Sequence, residues 1–158
     1  MGVLTQGTET WVKHGSPAVL TKIECITELS VGDDSVTEIE TTCMEERESS
    51  TSEYGLVKPG EGSLKINTDP ENETHVIILD LAQNKAKVEV FVGWSDGTAE
   101  PTLNGDIVTV PQGRSWTQFQ AQLRKGPPIF DKDSLVNHTI PMKRQTPAFD
   151  TLKKQGTA

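Results

Sequence analysis

The residues able to do chemistry are few and widely separated in this chain. The three histidines, His14, His75 and His138, share no metal-ligand spacing with a cysteine or an acidic residue. Glu71 and His75 are four residues apart, so a helix would place them on one face, and we interpret the pair as a surface or capping contact. No Gly-x-Ser-x-Gly motif occurs, and residues 60–62 (GEG) lack the lysine and hydroxyl of a phosphate-binding loop. The pattern predicts no enzyme, no metal site and no cofactor.

The two cysteines and the acidic pairs lead to the same conclusion. Cys25 and Cys43 cannot form a zinc site alone, and both lie in strand-like segments. We interpret them as small buried hydrophobic residues, with a cross-strand disulfide as the alternative. The acidic pairs at 33–34 and 45–46 lack the further oxygen ligands, at fixed offsets, of a calcium loop.

Charge and composition exclude other classes of protein. The 158 residues include 23 Asp and Glu against 15 Lys and Arg, a net charge of −8 that disfavours binding to nucleic acid or anionic membranes. Residues 1–100 carry 19 acidic and 7 basic residues, whereas residues 101–158 carry 4 and 8, which reflects either chance or two ends that attract each other in an assembly. The longest apolar run, residues 76–79, is too short for a transmembrane helix. The N-terminus does not resemble a signal peptide, so we expect synthesis in a cytoplasm.

The composition predicts that most secondary structure in this chain is β-strand. The chain has 19 Thr, 13 Val and 9 Ile, and these β-branched residues favour strands. Apolar and polar residues alternate over residues 19–31 and again over 35–43, with a turn at 32–34. This pattern predicts a hairpin over residues 23–43 with one apolar and one acidic face. The apolar face comprises Ile23, Cys25, Leu29, Ile39 and Cys43, and the acidic face comprises Glu24, Glu28, Glu38 and Glu40.

The rest of the chain completes a mainly β prediction. Residues 44–62 show no period, and a loop of this length is usually functional or disordered. One helix is predicted over about 70–84, capped by Thr68 or Asp69, with Pro70 in its first turn. We therefore predict a β-sandwich or barrel-like fold with one flanking helix and a long hairpin loop, formed by a single domain over residues 1–142 and followed by a C-terminal extension over 143–158. Further strands are expected at 8–13, 63–67, 85–94, 106–110, 115–124 and 134–142.

This order of segments resembles the major tail tube proteins of long, non-contractile-tailed bacteriophages. The resemblance is carried by residues 7–12 (GTETWV), the acidic hairpin at 23–43, the polar loop at 54–67 and the helix-opening phrase at 68–75 (TDPENETH). It covers most of residues 8–123 as an ordered pattern, without one strong motif.

The resemblance implies a structural protein of the virion tail. In such a tail tube, hexameric rings stack through the long hairpin loop and the termini. The tube surrounds a tape-measure protein, ends at tail-tip and tail-terminator proteins, and conducts DNA without binding it specifically. No membrane is implied as a partner.

Three sets of site residues follow from combining the resemblance with charge. Glu24, Glu28, Glu38 and Glu40 would line the lumen, where acidic groups repel a duplex that carries one charge per ~1.7 Å. An acidic inter-ring loop would meet basic residues of the next ring. The loop residues are Glu45, Glu46, Arg47, Glu48, Glu53, Tyr54, Lys58 and Glu61, and the basic partners are Lys143, Arg144, Lys153 and Lys154.

Two other readings remain open. A tail terminator or head–tail connector would share the β fold and ring symmetry but would stop at one ring. A monomeric β-sandwich binding module, for carbohydrate among other ligands, would not assemble at all. Self-polymerisation separates the three.

Overall fold

The chain folds into antiparallel strands and one helix in the computed structural model, which describes residues 2–153. This mainly β architecture confirms the predicted fold class. In chain order the elements are β1 (Glu9–His14), β2 (Val19–Ile23), β3 (Ile26–Ser30), β4 (Ser35–Glu40), β5 (Ser52–Lys58), β6 (Glu61–Asn67), α1 (Glu73–Gln83), β7 (Lys87–Gly93), β8 (Thr102–Asn104), β9 (Ile107–Thr109), β10 (Trp116–Leu123), β11 (Asn137–Arg144) and β12 (Phe149–Thr151).

One large sheet forms the body of the molecule. Its strand order is β2-β1-β7-β10-β11-β6-β3, and β12 also pairs with β10, beyond the point where β11 ends. Two small sheets, β4–β5 and β8–β9, stand apart from it.

The two edges of the large sheet meet at a corner. Its edge strands β2 and β3 are separated in the chain only by Glu24 and Cys25, so the Cα atoms of Ile23 and Ile26 lie within about 11 Å of each other. The sheet therefore curls over on itself into a sandwich. Cys25 turns the corner with a left-handed φ of 54°. The continuous strand predicted over 19–31 is wrong, because the chain changes sheet edge there.

The hairpin predicted over residues 23–43 is wrong, and a different long hairpin is formed by β4 and β5. β3 pairs with β6, and β4 pairs with β5, so no hairpin forms across residues 32–34. The segment predicted as an irregular loop, 44–62, contains all of β5 and the start of β6. Nearly all of β4 and β5 is exposed on both faces, which explains why β5 shows no alternation of apolar and polar residues.

Helix α1 packs against the hydrophobic core at one end of the sandwich. It begins after Asn72, whose side-chain oxygen accepts from the Thr74 N–H at 3.0 Å, and so starts three residues later than predicted. Its buried residues are His75, Ile78 and Ala82. They join a core formed by Val12, Ile23, Leu64, Ile66, Val88, Val90, Val92, Phe119, Ala121, Leu123, Ile140 and Met142.

A second cluster lies on the opposite face of β1, β7 and β10. Trp11, Phe91 and Trp116 pack together there, and the two indole rings have centroids 5.4 Å apart. The guanidinium of Arg114 lies over both rings, with no exposed side-chain surface. It donates to four backbone carbonyls and pairs with Glu9 at 3.0 Å. Those carbonyls belong to Trp94, Ala99, Gly93 and Gly7.

The C-terminal part of the described chain belongs to the sheet. The predicted domain boundary at residue 142 falls inside β11, and β12 pairs with Trp116, Thr117 and Gln118 of β10. Residues 143–144 and 149–151, which the sequence analysis placed in a C-terminal extension, are therefore part of the sheet. Among the described residues, no helix has the length and hydrophobicity needed to cross a membrane.

Candidate functional site

The most distinctive surface is a projecting hairpin, residues 35–58, which we call the arm. β4 and β5 pair with each other and with no other strand of the described chain. None of the arm residues is buried, and the exposed fraction reaches 80% for Tyr54 and 88% for Leu56. A two-stranded ribbon is marginally stable alone, and exposed apolar groups of this kind mark interaction sites. The arm's exposed apolar residues are Val36, Ile39, Met44, Tyr54, Leu56 and Val57.

The base of the arm is clamped to the body by tight backbone crossings. A Cβ added to Gly60 would lie 1.9 Å from the Asp33 carbonyl oxygen, and one added to Gly62 would lie 2.4 Å from the Ser30 carbonyl oxygen. No side chain fits at either crossing. Glycine is required at these two positions because the strands entering and leaving the arm touch there.

Arg144 completes this clamp. Its Nε donates to the Val31 carbonyl oxygen at 2.8 Å, its Nη2 donates to the Gly32 carbonyl oxygen at 3.2 Å, and it pairs with Asp34. The Arg144 bond, aided by the Gly60 N–H, lowers the pKa of the Asp34 carboxyl. The prediction that Arg144 is an exposed partner for the next ring is wrong, because its side chain is buried and paired within its own chain.

The four candidate lumen acids do not share one hairpin face. Glu24 lies at the corner between β2 and β3, where its carboxylate accepts from the Asn72 side chain at 3.2 Å. Glu28 lies on β3, whereas Glu38 and Glu40 lie on β4 of the arm. All four are exposed, but they belong to two separate sheets.

The predicted inter-ring loop residues lie on or next to the arm, and all are exposed. Glu61, at the first position of β6, pairs with Arg124 at 3.2 Å on the surface of the body. The remaining seven are distributed between the tip and β5. The tip carries Glu45, Glu46, Arg47 and Glu48, and β5 carries Glu53, Tyr54 and Lys58.

The other predicted basic partners lie apart from one another. Lys143 is exposed on β11, opposite Glu61 in the neighbouring strand. The Lys153 Nζ donates to the Asp96 carbonyl oxygen at 3.2 Å. Lys154 lies outside the described residues.

The polar groups with catalytic potential serve the fold. Both ring nitrogens of buried His75 are bonded: Nδ1 accepts from the Asp69 N–H at 3.1 Å, and Nε2 donates to the Glu24 carbonyl oxygen at 2.7 Å. The predicted contact with Glu71 is therefore wrong. His75 fixes the start of α1 to the corner. Within residues 2–153 no three His, Cys, Asp or Glu side chains are placed to hold a metal ion.

The cysteines differ from the prediction as well. Cys25 and Cys43 are both exposed and free, one at the corner and the other next to the arm tip. The sequence analysis inferred burial from the alternation over 19–31 and 35–43. That inference fails because Cys25 lies at the exposed corner and Cys43 lies in the projecting arm.

A folded body that exposes a clamped, apolar and acidic arm defines a subunit built to assemble with other chains. The chain belongs to the lambda-like phage tail tube family, whose model matches residues 1–154. This confirms the resemblance found in the sequence, and the family is one of structural tail tube proteins rather than enzymes. The chain is 34% identical over 143 residues to structural protein 3 of Pseudomonas phage PAJU2, with 87% of each chain covered.

Solved structures agree on the fold. The SPP1 tail tube structure matches with a TM-score of 0.64 at 10% identity, covering 95% of this chain and 79% of that one. A chain of the anti-feeding prophage baseplate matches with a TM-score of 0.63 at 8% identity, covering 98% of each. By its family the protein is a structural protein of the phage tail, and its fold is the one found in the SPP1 tail tube.

Proposed function

We propose that copies of this chain form hexameric rings that stack into the tail tube, and that the arm links one ring to the next. The tube would surround the tape-measure protein, end at tail-tip and tail-terminator proteins, and later conduct DNA into the host. Assembly would follow synthesis in the host cytoplasm. The observation that carries this proposal is the arm, which is clamped at its base yet buries none of its own residues.

Unpaired sheet edges support ring formation. Within residues 2–153, β3 pairs with β6 alone and β12 pairs with β10 alone, so each leaves one edge open. An open edge invites pairing with another chain, and head-to-tail contacts close into a ring when the rotation allows. Ring closure would cover edges that a monomer leaves exposed.

The acidic lumen remains part of the proposal, now with two separate pairs of residues. Glu24 and Glu28 belong to the body, and Glu38 and Glu40 belong to the arm. Replacing either pair with Lys should slow DNA release, since a basic wall attracts the duplex, whereas replacement with Gln should have a smaller effect. Normal release from both Lys variants would overturn the lumen assignment.

The arm itself is tested by shortening it at a pair of strand partners. Val36 and Val57 face each other across β4 and β5, so residues 37–56 can be replaced by an Asn-Gly turn. We expect a folded protein, by circular dichroism and thermal unfolding, that forms no tubes in electron micrographs. The control is the full-length protein with the single substitution Tyr54→Phe. This variant keeps the aromatic side chain at the arm surface and should polymerise normally.

Three outcomes distinguish the readings. Tubes from the shortened protein would refute the role of the arm. Isolated rings from the full-length protein, with tail tips added, would indicate a terminator or connector. A full-length protein that stays monomeric even with tail tips would indicate a binding module.

A further inference from the structure

Asn104 is the only asparagine of the 158-residue chain that precedes a glycine. An asparagine in that setting can lose its amide without an enzyme. The next backbone nitrogen attacks the side-chain carbonyl carbon, and a glycine has no side chain to hinder that approach. Asparagine is accordingly counted among the thermolabile residues. The other four asparagines are followed by residues that carry side chains; they are Asn67, Asn72, Asn84 and Asn137.

The structure places Asn104 and Gly105 at the exposed tip of a small hairpin. Asn104, the last residue of β8, faces Ile107, the first residue of β9. Gly105 and Asp106 therefore form a two-residue turn, and all four residues are exposed. Gly105 has a left-handed φ of 63°, and beyond its chain neighbours no heavy atom lies within 4 Å of the position that a Cβ would take. Its N–H makes no backbone hydrogen bond among the described residues, so the attacking nitrogen is open to solvent.

The hairpin that carries this tip is short and separate from the large sheet. β8 and β9 have three residues each and pair with each other in a sheet of their own. A two-stranded ribbon of this size is marginally stable, so its tip opens locally at little cost in free energy. Opening releases the Asn104 backbone from its pairing with Ile107 and allows the Asn104 side chain to turn toward the Gly105 nitrogen.

A second site with the same local chemistry is restrained by the fold. Asp96 also precedes a glycine, but its carboxylate accepts from the Ser115 N–H at 2.9 Å and from the Ser115 hydroxyl at 2.6 Å. A Cβ added to Gly97 would lie 2.4 Å from the Gly113 carbonyl oxygen, so this turn is closely packed. The fold therefore holds Asp96 in place and leaves Asn104 free to react.

We propose that Asn104 is a site of spontaneous deamidation. The Gly105 nitrogen forms a bond to the Asn104 Cγ, the Cγ–Nδ2 bond breaks, and Nδ2 leaves as ammonia with the proton of the Gly105 N–H. Water then opens the resulting cyclic imide at one of its two carbonyls. Opening at Cγ gives aspartate. Opening at the main-chain carbonyl gives isoaspartate, in which the main chain runs through the former side chain.

The two products affect the fold differently. Val108 and Val110, on β9 and directly after it, pack against the cluster that contains Trp11 and Trp116. Isoaspartate adds one carbon to the main chain at the turn, so β8 and β9 lose their register and this cover is loosened. Aspartate keeps the length of the main chain and adds only a negative charge beside Asp106. Because the subunits of an assembled particle are not resynthesised, both products would accumulate with the age of the particle.

The test follows amide loss in the full-length chain during incubation in mildly alkaline buffer. After tryptic digestion, mass spectrometry of the peptide spanning residues 88–114 should show that Asn104 loses its amide before any other asparagine. A protein isoaspartyl methyltransferase should label the same peptide. Asn84 is the matched internal control, because it is also exposed but precedes Lys85. Equal rates of amide loss at Asn104 and Asn84 would overturn the proposal.

Two variants test the cause and the consequence separately. Asn104→Gln keeps an amide but would require a less favoured six-membered ring, so labelling should be lost. Labelling that persists in this variant would assign the reaction to Asp96, which lies in the same peptide, and would contradict the proposal. Asn104→Asp should match the unmodified chain in the quenching of tryptophan fluorescence by acrylamide, whereas the isoaspartyl protein should be quenched more strongly. Isoaspartyl protein that is quenched like the unmodified chain would refute the loosening of the hairpin.

Discussion

Arg114 offers the sharpest quantitative test of the fold. Its guanidinium has no exposed surface, donates to four backbone carbonyls, and lies over the rings of Trp11 and Trp116. Arg114→Met keeps much of the side-chain volume but leaves those carbonyls without this donor and Glu9 with Lys22 as its remaining partner. Breaking a buried, hydrogen-bonded charge pair costs about 3–5 kcal/mol. For a chain of 158 residues this corresponds to a fall in Tm of roughly 6–20 °C.

The matched control is Arg124→Met, which removes the same kind of side chain from a surface pair. The Arg124 side chain is 66% exposed and its partner Glu61 is 53% exposed, so the expected loss is about 1 kcal/mol or less. Urea unfolding followed by circular dichroism and tryptophan fluorescence measures both variants. Equal losses of unfolding free energy in the two variants would refute the reasoning, because burial would then make no difference.

Three further predictions concern the core, the arm base and pH. Phe119→Ala should lower the unfolding free energy by about 3–5 kcal/mol in urea unfolding, since the side chain is 3% exposed. Gly60→Ala places a Cβ 1.9 Å from the Asp33 carbonyl oxygen, so hydrogen exchange should show faster opening at the arm base, and wild-type exchange there would contradict the clash. Burial lowers the pKa of His14 and of His138, so the folded chain takes up these protons less readily than the unfolded chain and is destabilised as the pH falls below their ordinary pKa of 6.5. The free energy of unfolding should therefore fall between about pH 7 and pH 5, and replacing both histidines with Gln should reduce this pH dependence. An unchanged pH dependence in that double variant would show that the two histidines are not its source.

Local sequence signals predicted the elements that bury one face. Helix α1 was expected over 70–84 and spans Glu73–Gln83, because Asn72 rather than Thr68 or Asp69 provides the cap. β7 and β10 carry alternating buried residues and were located to within a few positions. In each of these elements, apolar residues recur with the period of the helix or strand on the side that faces the core, so the pattern can be read from the sequence alone.

Features that depend on distant contacts could not be predicted in the same way. The alternation over 19–31 continues through Cys25, although the chain moves there from one sheet edge to the other. A period of two reports that side chains alternate, but it does not identify which strand lies alongside. The arm strand β5 was missed for a related reason, since it is exposed on both faces and has no pattern to detect.

The buried arginines were missed because their partners are backbone carbonyls. Arg114 and Arg144 are among the most buried residues of the described chain, yet arginine in a sequence favours an exposed position. Arg144 was accordingly assigned to the interface between rings, when it clamps the arm to its own body. The glycines at 60 and 62 were the available signal, since closely spaced glycines indicate a close backbone approach.

The central claim is that this tail tube protein builds a stack of rings through its arm. Electron microscopy of the full-length chain and of the arm-shortened variant, each with tail tips and across a concentration series, tests it most directly. The account predicts hollow tubes of stacked sixfold rings from the full-length chain and no tubes from the shortened one. Tubes of equal length and abundance from both proteins would contradict it.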